Sequence, residues 1–264
     1  MRETKHFHAC PLRHVSWDNT YKEELDNGTG HEKDTDLTAL DSWFAEIDAP
    51  AKVLEFLTSE DFPLSPNNPE QTVQQPNVLD LGTGNGSSLF ELKLEGNYHG
   101  PMIGADYSEQ SLDLARRLWH SRLQQMEDVE KEEQGTIAFE HLDLIKDVPQ
   151  EKSWWPSSGF DLVLDKGTFD AVSLSAETVE LEGQSVRIVE LYPRKVARMV
   201  KSGGFLMVTS VNWTEDEIGR WFTEGPGVEN VLKLHGRVQY PVYEYGGHKG
   251  SAIASICFRK IVDC

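Results

Sequence analysis

Residues 78–86 read Val78-Leu79-Asp80-Leu81-Gly82-Thr83-Gly84-Asn85-Gly86. A short apolar run that ends in closely spaced glycines and leads into a helix-like stretch marks the way out of a buried strand. Glycines in such a turn let the backbone approach a ligand closely, and the helix N-terminus beyond offers unpaired N–H groups to a negative group such as a carboxylate. Open α/β sheets bind ligands at the carboxyl ends of their strands, which is where this turn lies. The spacing is G-x-G-x-G behind an acid, Asp80, and not the G-x-G-x-x-G of a dinucleotide site. A carboxylate placed there would repel a pyrophosphate, but it suits a ligand carrying an ammonium beside its carboxylate, as S-adenosylmethionine does. A purely structural Gly-rich turn is the alternative reading of the same residues.

Outward from this turn the pattern of a strand followed by a helix repeats. Asn77 to Leu81 is the first strand and Gly86 to Glu95 its helix, and Pro101 to Ala105 is the second strand. Ser108, with Gln110 and Ser111 in the first turn, opens a helix to about Gln125. After a charged loop around Glu130 to Glu133 come a strand at Thr136 to His141, a loop holding Trp154-Trp155-Pro156, and a strand at Phe160 to Leu164. Val186 to Lys201 reads as a helix ended by Gly203-Gly204, Phe205 to Ser210 as a strand, and Val228 to Glu244 with Ser251 to Ile261 as a hairpin-like pair. Such alternation predicts a mostly parallel sheet covered on both faces.

Upstream, Ser16 has the character of an N-cap, and Trp17, Tyr21 and Leu25 recur at helical spacing until Asn27-Gly28-Thr29-Gly30. A second amphipathic stretch runs from about Asp36 to Thr58, with a break or a new start at Pro50. Ser59 to Gln75, rich in Pro, Asn and Gln, reads as a surface linker. The chain thus divides into a disordered lead over 1–14, a helical extension and linker over 15–76, and the main domain over 77–264.

Two more acids strengthen the glycine motif. Asp106 ends the second strand, twenty residues beyond Gly86, where a carboxylate accepts hydrogen bonds from ribose hydroxyls. Asp143 follows the third strand, placed to accept from an adenine amino group, with Leu144 offering backbone and apolar contact. Each alone is more often a solvated loop acid or turn residue. Acids at the ends of three successive strands are hard to assign to coincidence.

Composition narrows the partners. In 264 residues, 25 basic and 44 acidic side chains leave a net charge of −19, which repels nucleic acid and anionic membrane surfaces and favours a basic protein. Three cysteines, Cys10, Cys257 and Cys264, form no CxxC pair and no disulfide framework, pointing to a reducing compartment. Without an apolar leader or a long apolar run, the reading is a cytoplasmic protein with a nuclear pool possible. His6, His8 and His14 have no cysteine or carboxylate cluster beside them, so no metal is implied.

With these residues in place, the sequence resembles the class I, seven-β-strand S-adenosylmethionine-dependent methyltransferases over about 77 to 260. The implied fold is α/β and Rossmann-like: a doubly wound, mostly parallel seven-stranded sheet with an antiparallel C-terminal strand and an N-terminal helical extension. Leu164-Asp165-Lys166-Gly167-Thr168-Phe169-Asp170-Ala171 resembles a narrower group, the protein-lysine methyltransferases of translation elongation factor 1-alpha. Trp17 to Tyr21, Trp43-Phe44 and Ser210-Val211-Asn212-Trp213-Thr214 carry that group's other marks. The acidic stretch after Gln125 and the Trp154-Trp155 loop are longer than the family needs.

The resemblance implies S-adenosyl-L-methionine as cofactor, held by Trp17, Tyr21, Asp80, Gly82, Thr83, Gly84, Asn85, Gly86, Asp106, Tyr107, Asp143, Leu144 and Asp165. It implies a basic protein substrate, elongation factor 1-alpha, and a monomeric enzyme. Asp165 is expected to position the lysine amine, and Phe169 with Trp43, Phe44, Asn212 and Trp213 to wall the lysine channel. The N-terminal helices, through Trp17 and Tyr21, are expected to form a lid. The alternatives are a turn acid for Asp165 and core packing for Phe169 and Trp43. A small-molecule methyltransferase, a nicotinamide oxidoreductase disfavoured by the glycine spacing, and a non-catalytic cofactor-binding scaffold for a basic protein are the rival functions.

Overall fold

The computed structural model describes residues 21, 22, 25, 48–73, 75–126, 137–181, 183–245 and 248–262. Successive side chains of a strand point to opposite faces, so a strand covered on both sides must be apolar at nearly every position. β1 (Val78–Leu81) meets that condition with all four residues buried. Val78 enters one core, while Leu79 and Leu81 enter the other.

The following elements are α1 (Ala49–Leu57), which precedes β1, then α2 (Ser87–Leu94), β2 (Met102–Asp106), α3 (Glu109–Gln124), β3 (Ile137–His141) and β4 (Phe160–Lys166). Beyond them lie α4 (Thr168–Leu174), β5 (Thr178–Leu181), β6 (Gln184–Arg187), α5 (Ile188–Met199), β7 (Val200–Ser210) and α6 (Glu215–Thr223). The chain closes with β8 (Leu232–Arg237), β9 (Tyr243–Tyr245), β10 (His248–Gly250) and β11 (Ala254–Lys260). The main sheet has seven strands in the order β3-β2-β1-β4-β7-β11-β8. All pairs from β3 to β7 are parallel, and β11 runs antiparallel to both neighbours.

Helices α1, α2 and α3 cover one face over Val78, Leu162, Leu164 and Met207. The other face carries α4, α5 and α6 over Leu79, Leu81, Val163 and Val208. The expected doubly wound sheet with its antiparallel last strand is therefore present. Each fully buried leucine or valine contributes roughly 1.5–3 kcal/mol relative to exposure, so the alternation within the strands is what drives the two-sided covering.

Three expectations need correction. The helix expected over Val186 to Lys201 is α5 alone, because Gln184–Arg187 pairs with Thr178–Leu181 as a separate antiparallel ribbon. Gly203-Gly204 does not end that helix: the chain is already extended at Val200, and both glycines lie inside β7. A Cβ on Gly204 would meet the carbonyl oxygens of Asp161 and Phe160 at 2.9 and 3.0 Å, where the pairing with β4 shifts register, so the glycine serves a close backbone approach. In the closing pair, only Leu232–Arg237 of the expected Val228 to Glu244 joins the sheet, and the later strand β11 lies inside it, between β7 and β8.

Ser59 to Gln75, read as a surface linker, is docked. Phe62 is buried edge-on against Phe205, with ring centroids 5.0 Å apart. Its polar residues close its own carbonyls: Asn67 Nδ2 donates to Thr58 (2.8 Å), Asn68 Nδ2 to Phe62 (3.1 Å) and Gln71 Nε2 to Leu64 (2.9 Å). Those side chains replace water for a loop pressed on the core. Trp154 and Trp155 are half-buried against Phe160. The lead expected over 1–14, Trp17, Trp43, Phe44 and the acidic stretch at 127–136 lie outside the described residues.

Candidate functional site

The chain leaves β1 through Gly82, Gly84 and Gly86, with φ of 62°, 57° and 83°. These values lie in the left-handed region, which glycine enters without steric cost. Space demands glycine as well: a Cβ on Gly82 would lie 2.1 Å from Thr168 Oγ1, and one on Gly84 would lie 2.8 Å from the Tyr21 hydroxyl. Tyr21 is helical and buried, and its hydroxyl stands against this loop.

Hydrogen bonds tie the loop to the second strand. The Gly84 N–H donates to Asp106 (3.0 Å), and Ser111 Oγ donates to the Gly84 carbonyl (3.1 Å). Thr83 donates its hydroxyl to Asp80 (2.7 Å), and the Ser87 N–H donates to Asn85 Oδ1 (3.1 Å). Asp106 also accepts from the Ser108 N–H at 3.0 Å, while Tyr107 beside it is exposed. Ser108 caps α3, as the sequence predicts.

Beyond β3, Asp143 closes its own turn. It accepts from the N–H groups of Ile145 (2.9 Å) and Lys146 (3.2 Å) and from the Lys146 ammonium (2.8 Å). Burial works to raise its pKa, but the Lys146 ammonium and those N–H groups together hold the carboxyl below its usual range. Lys195 of α5 donates to the Leu144 and Ile145 carbonyls, fixing the backbone next to Asp143.

Asp165, near the end of β4, is 1% exposed. One oxygen accepts from the N–H groups of Thr168 (3.0 Å) and Phe169 (3.1 Å), and the other from the Tyr192 hydroxyl (2.7 Å). Its visible work is to cap α4 and to join it to α5. Asp170, also buried, accepts from the Val211 N–H (2.9 Å) and the Ser210 hydroxyl, and Ser210 in turn accepts from the N–H groups of Asn212 and Trp213. The α4 segment is thereby latched to the loop after β7.

Phe169 is placed in the core and not on an open channel wall. It is fully buried, stacked on Tyr192 and Trp213 with centroids 5.7 Å apart in each case, and edge-on to Phe222. The physical reason is the short helix: capping by Asp165 turns its first apolar residue under the sheet. Trp213 joins the same stack and donates Nε1–H to Ser173, whereas Asn212 is exposed. Sequence reading does not single out Tyr192, Lys195 or Ser210 as site residues. For Tyr192 the signal was masked by its place on an apolar helix face; a buried hydroxyl there demands a partner.

Four buried carboxyls share one electrostatic feature, and in the first, Asp170, burial raises the pKa against the Ser210 hydroxyl and the Val211 N–H. Burial pushes Asp80 up to about 6 against the Thr83 hydroxyl, and Asp165 up to about 7 against the Tyr192 hydroxyl. Asp106 is also raised by burial, against the N–H groups of Ser108 and Gly84. A carboxyl whose pKa is higher folded than unfolded binds more protons when folded, so stability falls as pH rises through that window. For Asp165 the window runs from about 4, the unfolded value, to about 7. An Asp165→Asn variant lacks this titration, so its stability gap to wild type should narrow from pH 5 to 7 by at most about 1.4 kcal/mol per pH unit. Urea midpoints measured for both proteins across that range check this; parallel curves would contradict it.

For S-adenosylmethionine, the donor set fits. The turn from Gly82 to Gly86 is held in the left-handed conformation against Thr168, Tyr21 and Phe90, and carboxylates stand at the end of β2 and just beyond β3 to receive hydroxyl and amino groups.

Comparison with known proteins agrees with this geometry. Residues 73–246 match the model of a methyltransferase domain family. Over 244 residues the chain is 34% identical to the protein-lysine N-methyltransferase EFM4 of Saccharomyces cerevisiae, with 92% of each chain covered. It is 27% identical over 245 residues to EEF1A lysine methyltransferase 2 of Homo sapiens, covering 93% of this chain and 84% of that protein. Among solved structures, the magnesium protoporphyrin IX methyltransferase of Synechocystis PCC 6803 with bound SAH is similar in fold, with a TM-score of 0.52 at 12% identity over 92% of this chain and 95% of that one.

Proposed function

The chain belongs to the methyltransferase domain family, and from that premise we propose that it is an S-adenosylmethionine-dependent protein-lysine N-methyltransferase acting on translation elongation factor 1-alpha. The observation that carries the reading is three acids at the carboxyl ends of adjacent parallel strands, Asp80 in β1, Asp106 ending β2 and Asp143 just beyond β3, with a left-handed glycine turn after the first. The substrate follows from relatives named for lysine methylation that span nine-tenths of the chain.

S-adenosylmethionine supplies a methyl group on a sulfonium, ready for in-line displacement. The chain's residues have to bind, orient and exclude water. In this reading Asp106 receives the ribose hydroxyls, Asp143 and Leu144 the adenine, and Tyr21 covers Gly84. Asp165 is a positioning residue: by capping α4 and bonding Tyr192 it fixes the turn that faces the incoming amine. A lysine amine gives up its proton more readily where surroundings disfavour charge. The crevice between α1, α2 and the ends of β4 and β7, lined by Val53, Leu54 and Met207 together with Glu91, Asp165 and Lys166, is the place for the lysine stem. The reading extends to a basic protein partner, a monomeric enzyme and a cytoplasmic location with a nuclear pool.

Isothermal titration with S-adenosylmethionine, with NAD as control, followed by incubation with tritiated cofactor and purified elongation factor 1-alpha, tests it. Binding of the first ligand alone and label on a lysine are expected. Binding without label would leave a small-molecule methyltransferase or a scaffold in its place, and no binding would overturn the reading of the three acids.

A further inference from the structure

Between α4 and α5 the chain forms a two-stranded ribbon, β5 and β6, that pairs with no other strand among the described residues. Val179 and Val186, paired across it, are half-buried, whereas Thr178, Glu180, Leu181, Gln184 and Ser185 are exposed. A lone two-stranded hairpin is marginal in water and gains from a surface laid against it. Leu174 at the end of α4 and Leu181 on the ribbon are 44% and 42% exposed.

Acids outnumber bases on and beside the ribbon. Its single cation, Arg187, is exposed and donates to the carbonyls of Ser173 and Ser175 at 3.1 Å each. Glu177 and Glu180 stay exposed, and the sequence adds Glu182. The ribbon also connects to the site through α5. The Glu177 carbonyl accepts from the first N–H of that helix at 3.1 Å, and Lys195 of the same helix holds the Leu144 and Ile145 carbonyls beside Asp143.

We propose that this ribbon is the docking surface for the protein substrate, with its outward acids attracting a basic segment of the partner and Leu174 and Leu181 supplying apolar contact. The inference rests on the reading of the chain as a protein methyltransferase and adds where the substrate is held. The net charge of −19 makes a basic partner the electrostatically complementary one. Acids at the rim of an interface set the association rate and its salt dependence, and apolar anchors set how long the complex lasts.

The test is steady-state methylation of purified elongation factor 1-alpha by wild type and by a Glu180→Lys/Leu181→Ser double variant, at low and moderate salt. Both side chains are exposed, and neither touches the cofactor residues named above. The variant should raise KM for the protein about tenfold and flatten its salt dependence, with kcat and the cofactor Kd unchanged. An unchanged KM overturns the proposal while the functional reading stands. An unchanged KM with a lowered melting temperature also overturns it, and assigns the ribbon to packing within this chain. If wild type itself leaves elongation factor 1-alpha unlabelled, the functional reading falls and the docking proposal falls with it.

Discussion

An Asp106→Ala variant is expected to bind S-adenosylmethionine about a hundredfold more weakly than wild type, or worse. Two hydrogen bonds from ribose hydroxyls to a carboxylate are worth roughly 1.5–3 kcal/mol each, and each 1.4 kcal/mol is about tenfold in Kd. The carboxylate has a second task, since it receives the N–H groups of Gly84 and Ser108 inside the protein. Alanine leaves both donors unanswered and loosens the glycine loop. Titration calorimetry with S-adenosylmethionine measures the loss, and Asp106→Asn grades it. The two loop N–H groups go to different carboxylate oxygens, so asparagine answers one and sets its amide NH2 against the other; it should fall between alanine and wild type in both affinity and Tm. An alanine variant within about threefold of the wild-type Kd would remove Asp106 from the ribose site.

The second large effect is on stability. Phe169→Ala should cost about 3–5 kcal/mol, because it empties a fully buried ring site and the neighbours relax only in part. In a chain of this size that lowers Tm by roughly 10 °C. Four rings, Tyr192, Trp213, Trp221 and Phe222, lose their shared neighbour at once. A residue of an open channel wall would behave differently: its loss would raise KM for the protein substrate and leave Tm nearly where it was. Calorimetric melting of Phe169→Ala beside Phe169→Leu therefore decides between core and wall. Leucine, which refills most of the space, should recover the larger part of the loss.

The fold was legible because its signals are local and repeat along the chain. Val78 to Leu81 is apolar on both faces but for one acid, glycines follow at once, and the pattern returns at Met102, Ile137, Phe160 and Phe205. Glycine at 82, 84 and 86 could be read as a conformational demand before any partner was known. What escaped was decided by contacts distant in sequence. Gly203-Gly204 looks like a helix stop, yet what it answers is the backbone of Phe160 and Asp161 some forty residues earlier. The polar stretch after Ser59 looks like a solvated linker, but its asparagines and glutamine close carbonyls of a loop held down by Phe62. The end of β6 reads as the start of a helix because Val186 continues the apolar spacing of α5, and only Arg187, extended at the cap, breaks it.

The candidate site divides in the same way. Sequence by itself determined the acids Asp80, Asp106 and Asp143, the glycine turn between them and the chemistry of the ligand they suit, because the loop of an α/β unit must place those residues at the strand ends whatever the rest of the chain does. Only the tertiary structure decided what Asp165 and Phe169 touch. Their motif follows β4 as expected, but the direction of each side chain depends on how α4 is capped and on Tyr192, Ser210 and Trp213 arriving from other parts of the chain. A carboxyl between two helices and a ring under a sheet have the same local sequence as a carboxyl and a ring in an open channel. Packing from distant segments is what distinguishes them.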